Sequence, residues 1–193
     1  DGTVKCWGYN SNGQLGDGST TNRSSPVSFS GVSNAIDIAA APQSTCILYN
    51  DGTVKCVGYN NKGQLGDGTT TNRTSLVSVT GITNGTKIIA GALNYCVLLS
   101  DSTIKCWGEN AYGQLGNGTT TNSSSPVTVS GISNATDITA NGHLVSNVGV
   151  TCALLSDKGA KCWGVNSEGQ VGIGTTTNSP ISTPTLLYGL NIS

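Results

Sequence analysis

The feature that most constrains this chain is a sequence repeat that recurs four times. Near-identical segments begin at Asp1, Asp51, Asp101 and Asp157, so the first two intervals are 50 residues and the third is 56. The first segment reads DGTVKCWGYNSNGQLGDG and the second reads DGTVKCVGYNNKGQLGDG. A period near 50 residues that contains several short β-rich runs is typical of the blades of a β-propeller.

Each repeat divides into short β-forming runs separated by turn residues. In the second repeat the runs cover residues 53–57, 76–80, 87–90 and 95–99, with a Gly-rich turn at 60–68 and a polar loop at 69–75. No apolar period of 3.6 residues is sustained, so helices are disfavoured. We predict an all-β array of about four four-stranded blades, at about residues 1–50, 51–100, 101–156 and 157–193. Both ends fall within a repeat, so we expect the array to be part of a longer one.

The cysteines follow the same repeat. Six of the seven form three pairs that are ten residues apart, namely Cys46 and Cys56, Cys96 and Cys106, and Cys152 and Cys162. In each pair a turn lies between two strands, and a three-residue loop such as residues 50–52 would place the two cysteines directly opposite each other. We predict a disulfide bond in each pair. The alternatives are buried free thiols, or a zinc site, for which the required short cysteine spacings are absent.

Three disulfide bonds would place the protein in an oxidising compartment, so we expect it to be secreted or on the cell surface. Each bond closes a short loop and should contribute about 2–3 kcal/mol to stability. Cys6 has no partner at this spacing. Its partner would lie four residues before Asp1, or a second copy of the chain would complete the strand at residues 3–7 and leave Cys6 as an unpaired or intermolecular thiol.

Charge and hydropathy exclude several classes of protein. Nine basic side chains oppose ten acidic ones, which gives a net charge of −1 and no basic surface for nucleic acid. No apolar run approaches the roughly 20 residues of a membrane-spanning helix. Residue 1 falls inside a repeat, so we expect any signal peptide to lie upstream or to have been removed. Neither the EF-hand pattern nor a cysteine cluster is present, so we predict no metal ion and no cofactor, although Asp17 and Asp67 lie in Asp-Gly turns.

The best candidate for a specific contact is the insertion that lengthens the interval between the last two repeats. It falls at residues 141–149, and its candidate binding residues are Asn141, His143, Leu144 and Asn147. Insertions into one repeat of an array often supply its specific contacts. His143 is the only histidine and has no partner nucleophile, so we predict no catalytic residues. The alternative is an ordinary solvated loop.

The Trp-Gly and Gly-Gln-Leu-Gly positions admit both a functional and a structural interpretation. Trp7, Trp107 and Trp163 could form a binding row, but Val57 occupies the same position once, so we expect them to pack between blades. The Gly-rich turns lack the strand–loop–helix context of a phosphate-binding loop and are predicted to be tight turns that join neighbouring blades.

Seven sequons are possible glycosylation sites if the protein is secreted. They lie at Asn22, Asn72, Asn84, Asn117, Asn122, Asn134 and Asn191. The alternative is that they arise by chance in a chain rich in Asn, Ser and Thr.

The motif at residues 1–18 recurs three times, and related short strands are expected at 46–49, 96–99 and 152–155. Together these segments resemble the regulator of chromosome condensation (RCC1) repeat family. The resemblance implies a propeller of four-stranded blades, usually seven, of which this chain would form about half. The family's best-known activity is nucleotide exchange on a small nuclear GTPase, which the cysteine pairs disfavour. Many family repeats carry a His where this chain has Ser44, Asn94 and Val150. The cysteine-containing repeats are similar to those of secreted microbial proteins, which implies protein recognition.

The sequence therefore predicts an extracellular, non-catalytic scaffold for protein binding or adhesion, with a protein or a surface glycan as its ligand. One alternative is a structural subunit of an extracellular fibre, with chains joined edge to edge through open strands. A second alternative, implied by the resemblance alone, is an exchange factor for a small GTPase. We expect neither nucleic-acid binding nor a membrane span.

Overall fold

A computed structural model describes residues 2–143 and 148–188, and this part of the chain consists of fourteen β-strands and contains no helix. The all-β expectation is confirmed. Strands β1 (Lys5–Gly8) and β2 (Arg23–Ser28) form a two-stranded sheet, called here the half-blade. Blade 1 contains β3 (Ala35–Ala40), β4 (Ser44–Tyr49), β5 (Val54–Gly58) and β6 (Arg73–Ser78). Blade 2 contains β7 (Gly85–Ala90), β8 (Asn94–Leu99), β9 (Ile104–Gly108) and β10 (Ser123–Thr128). Blade 3 contains β11 (Ala135–His143), β12 (Val148–Leu155), β13 (Ala160–Gly164) and β14 (Ile181–Leu186).

Every sheet is an antiparallel meander whose strands pair in chain order. The sequence repeats and the sheets are out of step, because each repeat begins at the loop before the third strand of one blade and continues into the first two strands of the next. The polar loop expected at residues 69–75 ends too late, since β6 already begins at Arg73. Its side chains are mostly exposed, so no apolar pattern marks the start of this strand.

The hairpin between the second and third strands of each blade has the expected register. In blade 1 the Tyr49 N–H donates to the Thr53 carbonyl at 2.9 Å, and Gly52 takes a φ of +77° in the three-residue loop. This geometry pairs Cys46 with Cys56 at a Cα–Cα distance of 4.1 Å, and the two form a disulfide bond. Cys96 bonds Cys106 and Cys152 bonds Cys162 in the same way. Cys6 is the free cysteine of the described residues.

The hydrophobic core lies between successive blades. The two faces of a strand point to different neighbours, so each blade has one face toward the preceding blade and one toward the following blade. In blade 1 the face with the disulfide, together with Leu48 and Val54, packs against Tyr95 and Trp107 of blade 2. The disulfide of blade 2 packs in the same way against blade 3, whose contribution includes Trp163.

A hydrogen bond from tryptophan fixes each of these two interfaces. We use the name Gly-Gln loops for residues 10–18, 60–68, 110–118 and 166–174, which connect the third and fourth strands. The Trp107 indole N–H donates to the Gln64 carbonyl at 3.0 Å, and that of Trp163 donates to the Gln114 carbonyl at 2.9 Å. Both tryptophans are fully buried, as the sequence predicted, whereas Trp7 is 63% exposed. Buried indole rings with a satisfied N–H therefore hold blades 1, 2 and 3 together.

The interface between the half-blade and blade 1 uses a different pair of side chains. At the next two interfaces tryptophan stands at the position of Val57, and a valine, Val79 or Val129, stands at the position of Phe29. A Cβ on Gly66 would meet the Trp107 ring at 2.9 Å, while a Cβ on the equivalent Gly16 would meet the Phe29 ring at 2.0 Å. The phenyl ring thus fills the space that an indole fills elsewhere, and it packs in one cluster with Val57.

Candidate binding surface on blade 3

The Gly-Gln loops all lie at the same end of their sheets. They are rigid because a buried asparagine joins the two halves of each loop. In blade 1 the Asn60 side chain accepts a hydrogen bond from Leu65 N–H at 2.8 Å and donates to the Thr69 and Thr71 carbonyls at 3.1 and 3.0 Å. Asn10, Asn110 and Asn166 occupy equivalent buried positions. The Gln14 side chain donates to the Pro42 carbonyl in the turn between the first two strands of blade 1. Gly-Gln loops and these turns therefore share a face, called here the Gly-Gln face.

Blade 3 departs from the repeat at its first hairpin, on the Gly-Gln face. The insertion lengthens β11 and β12, so that Asn141 pairs with Val150, Gly142 with Gly149, and His143 with Val148. The equivalent strands of blade 2 end in a turn at residues 91–93. A Cβ on Gly142 would meet the Ala92 backbone nitrogen at 2.3 Å, so the extension lies tightly against that turn. The extension is therefore a supported β-hairpin on this face.

Blade 3 departs again in the connection between its third and fourth strands. Arg73 follows Asn60 by 13 positions, whereas the equivalent Ile181 follows Asn166 by 15. In blade 1 the Asn72 side chain accepts a hydrogen bond from Asn60 N–H at 2.7 Å and immediately precedes the fourth strand. In blade 3 Ser179 and Pro180 separate the matching Asn178 from the fourth strand. The longer connection borders a groove of about 220 Å³. Its lining includes Tyr112, Val165, Ser167, Asn178 and Pro180.

The groove and the extended hairpin are continuous. Val165 N–H donates to the Gly149 carbonyl at 3.1 Å, which joins the groove wall to the hairpin. Tyr112 is 38% exposed, and Asn141 and Gly142 are exposed. We call the groove with the paired stem of the hairpin the blade 3 surface. It offers one aromatic ring, amide and hydroxyl groups, and a fixed backbone edge, which is a composition suited to binding.

Three ion pairs distinguish the other Gly-Gln loops from this surface. Lys62 lies 3.9 Å from Glu109 across the interface of blades 1 and 2, at the positions that Tyr112 and Val165 occupy one interface later. Burial raises the pKa of the Glu109 carboxyl, and the Lys62 charge opposes that shift. Asp17 pairs with Arg23 at 2.8 Å, and hydrogen bonds led by that from Ser19 lower the pKa of Asp17 to about 2. The corresponding pair in the next loop is Asp67 with Arg73 at 3.1 Å.

Two of the four residues predicted for the binding loop fall within the described part of the chain. Asn141 lies in β11, where its side chain accepts a hydrogen bond from Val150 N–H at 3.1 Å. His143 is the last residue of β11, in a paired strand rather than in a loop. Leu144 and Asn147 lie outside the described residues. The groove beside the hairpin was missed, although the extra residues and the loss of Arg after the Thr-Thr-Thr-Asn run were visible in the sequence.

The sequons divide between the two faces. Asn22, Asn72 and Asn122 are exposed on the Gly-Gln face, and each uses its side-chain oxygen to accept a hydrogen bond from the backbone of the loop asparagine. Asn117 takes part in the turn of its own loop. Asn84 and Asn134 precede β7 and β11 on the opposite face, while Asn191 lies outside the described residues. Whether any of these asparagines carries a glycan stays a prediction.

Within residues 2–143 and 148–188, no three His, Cys, Asp or Glu side chains lie close enough together to bind a metal ion. The same part of the chain has no helix that could cross a membrane.

Comparison with known proteins assigns the family. The description "Regulator of chromosome condensation (RCC1) repeat" applies to two profiles, one matching residues 1–48 and 106–145 and the other matching residues 35–64 and 86–114. Together they cover residues 1–64 and 86–145, which is well over half of the chain. The chain belongs to the RCC1 repeat family. No curated protein matches this RCC1 repeat chain by sequence.

Solved structures with the same fold include two propellers of longer chains. Yeast RCC1 (Prp20), in its crystal structure bound to Kap60, matches with a TM-score of 0.80 at 19% identity, over 98% of this chain and 45% of that one. Human WBSCR16 matches with a TM-score of 0.77 at 23% identity, over 96% of this chain and 48% of that one. The RCC1 repeat chain thus spans about half the length of these structures, and at such identities the likeness establishes the fold alone.

Proposed function

We propose that this RCC1 repeat protein is a secreted or cell-surface scaffold that binds another protein through the blade 3 surface. The observation that carries the proposal is that both departures of blade 3 from the repeat fall on one face and border one surface, because the extended hairpin is bonded through Gly149 to Val165 in the groove wall. Elsewhere on that face the loops repeat with small changes. A protein that is uniform except at one rigid place offers a specific partner only that place to recognise.

The chemistry of the surface supports binding rather than catalysis. Tyr112 supplies an exposed aromatic ring of the kind enriched in protein interfaces, and Asn178 and Ser167 supply polar groups at its rim. The three disulfide bonds support an oxidising compartment, and they add rigidity so that less conformational entropy is lost when a partner binds.

The test removes the blade 3 surface without changing the blades. In one variant, residues 141–149 are replaced by the Gly-Ala-Leu turn that blade 2 has at residues 91–93. In another, Tyr112→Ala truncates the ring. The matched control is Lys62→Ala, at the position equivalent to Tyr112 one blade earlier. Each protein is immobilised with its disulfides intact and exposed to the extracellular and cell-surface proteins of the source cells.

The proposal expects a protein that the wild type and Lys62→Ala retain and that both blade 3 variants lose. The purified partner should then bind in a titration, with a dissociation constant that rises about ten-fold or more when one anchor residue is lost. Capture that is equal for all four proteins would refute the proposed surface. Retention of glycans alone, on an array of surface glycans, would refute a protein partner.

A further inference from the structure

The interface between blades 1 and 2 contains two buried polar side chains whose hydrogen bonds are incomplete. Gln64 is fully buried, and within residues 2–143 and 148–188 its side-chain nitrogen has no hydrogen-bond acceptor. Glu109 is 4% exposed, and its carboxylate lies 3.9 Å from the Lys62 ammonium, which is too far for a hydrogen bond. Burying polar groups without hydrogen bonds lowers stability, so a partner is expected for both side chains.

The two side chains lie close together in this interface. The Gln64 carbonyl accepts a hydrogen bond from the Trp107 indole N–H at 3.0 Å, and a Cβ on Gly108 would lie 3.3 Å from the Gln64 Cα. Glu109 is the residue after Gly108, and its ion pair with Lys62 joins β9 to the loop that carries Gln64. The Gln64 amide and the Glu109 carboxylate therefore border the same small region beside Lys62.

The orientation of the Gln64 side chain is determined by its oxygen. The Oε1 atom accepts a hydrogen bond from Lys62 N–H at 2.9 Å, so the NH₂ group is the part that needs a partner. The equivalent Gln14 amide donates to the Pro42 carbonyl at 3.5 Å. Ala92 stands at the position of Pro42 in blade 2, and the Gln64 amide does not bond its carbonyl. The contact that satisfies Gln14 is thus missing for Gln64.

We propose that an ordered water molecule bridges Gln64 and Glu109 within the interface of blades 1 and 2. The water accepts a hydrogen bond from Gln64 Nε2 and donates one to the Glu109 carboxylate, so that both groups are satisfied. Water suits the site because it both donates and accepts, whereas an anion is repelled by Glu109 and a cation by Lys62. The Lys62 ammonium is close enough to the carboxylate to be a third partner, and buried waters typically make about three hydrogen bonds.

The bridge belongs to this interface and not to the next one. Tyr112 and Val165 stand at the positions of Lys62 and Glu109 between blades 2 and 3. A valine offers no oxygen to which a water could donate. The chain itself therefore supplies the substitution that removes the site, because valine is already accommodated at this position of the fold.

The test uses NMR of the isotope-labelled protein with its disulfides intact and measures contacts between water and side-chain amide protons. The internal control is Asn60, whose buried amide donates to the Thr69 and Thr71 carbonyls at 3.1 and 3.0 Å. We expect cross peaks from a long-lived water at the Gln64 amide and none at Asn60. The absence of such a peak at Gln64 would overturn the proposal, since the amide would then bond the carboxylate directly or remain without a partner.

Two variants of Glu109 locate the water. Glu109→Gln keeps an acceptor oxygen at the same place and should retain the cross peak at Gln64. Glu109→Val removes the acceptor and should lose it. A peak that survives Glu109→Val unchanged would place the water elsewhere and refute the bridge.

Hydrogen exchange provides a second measurement that does not observe the water itself. A water that holds the Gln64 amide also secures the hydrogen bond from Lys62 N–H to Gln64 Oε1. Exchange of the Lys62 amide should therefore be about five-fold or more faster in Glu109→Val than in Glu109→Gln. Equal rates would count against the bridge. Neither measurement involves capture of a partner by the blade 3 surface, so a failure here is distinct from a failure of the proposed function.

Discussion

Single residues in this chain are adjusted to their partners in the neighbouring blade. At the first interface the large side chain is Phe29 and the small one facing it is Val57. The later interfaces have the reverse arrangement, with valine at the position of Phe29 and tryptophan at the position of Val57. Asp17 and Arg23 form an ion pair that becomes Asn117 and Ser123 in blade 2, so both charges are lost together. Each of these substitutions looks like an ordinary variation of the repeat until its partner, many residues away in the sequence, is placed beside it.

Because the side chains at positions 29 and 57 fill one shared space, we expect substitutions at the two positions to have strongly coupled effects on stability. Phe29→Val should leave a cavity and cost about 1–3 kcal/mol. Val57→Trp should overpack the same space and cost about 1–3 kcal/mol. The double variant restores the combination found at the other interfaces and should recover most of both losses, with a coupling energy of about 0.5–3 kcal/mol in denaturant unfolding. If the two losses of stability simply add in the double variant, the two side chains do not fill one shared space.

The Asp17 carboxyl predicts an acid-dependent difference in stability. Its pKa of about 2 in the folded protein lies below the usual value for an unfolded chain, about 4. The carboxylate therefore stabilises the fold above pH 4, and this contribution is lost as the pH falls from about 4 to about 2. Asp17→Asn should lower the free energy of unfolding at pH 7, and its difference from the wild type should shrink over that interval. A difference that stays constant down to pH 2 would exclude this role.

At the scale of strands and loops, the hairpins are the elements whose structure is best predicted from the sequence. Ten-residue cysteine spacing and an Asn-Asp-Gly loop are local signals, and they determine the register of β4 with β5 without any tertiary contact. The first residues of β6 were not predictable, because Arg73 and Thr74 lie in an outer strand whose hydrogen bonds, rather than apolar burial, define it. The groove at Tyr112 requires two Gly-Gln loops from different blades and has no local signature.

Two hairpins place a residue other than glycine in a left-handed conformation. Ser102 and Lys158 have φ values of +64° and +67°, where blade 1 has Gly52 at +77°. Lys158→Gly should stabilise the protein by about 0.5–1 kcal/mol, because relief of roughly 1–2 kcal/mol of strain exceeds the entropy that glycine adds to the unfolded chain.

The control for that variant is Ser156→Gly, in the same loop and outside the left-handed region, which should destabilise. Thermal unfolding of both variants distinguishes conformational strain from a general effect of glycine. The two variants shifting the melting temperature in the same direction would count against strain at Lys158.

At the scale of the whole molecule, protection of the disulfides depends on whether another blade covers them. Cys46, Cys56, Cys96 and Cys106 are fully buried beneath the following blade, whereas Cys152 is partly exposed beside a groove of about 220 Å³. No described strand covers that face of blade 3. Burial between blades is a property of the array, so the cysteine spacing predicts the bonds but not their different accessibility.

In a protein consisting of residues 1–193, graded reduction should therefore open the Cys152–Cys162 bond first. Increasing concentrations of a thiol reductant, followed by alkylation and peptide mapping, should label Cys152 and Cys162 while the other two bonds remain intact. Alkylation of all three pairs at the same concentration would mean that the blades separate before any bond is reduced.

The tryptophan–glutamine contact gives the two interfaces between blades 1, 2 and 3 a donor side and an acceptor side, and that polarity bears on how such arrays change length in evolution. Unequal crossing-over between two near-identical stretches of coding DNA inserts or deletes one whole period. Each new junction would again pair an indole with a loop carbonyl. Crossovers between positions 29 and 57 would instead separate the phenylalanine from its matching valine, so this stretch should tolerate recombination less well than the rest of the gene.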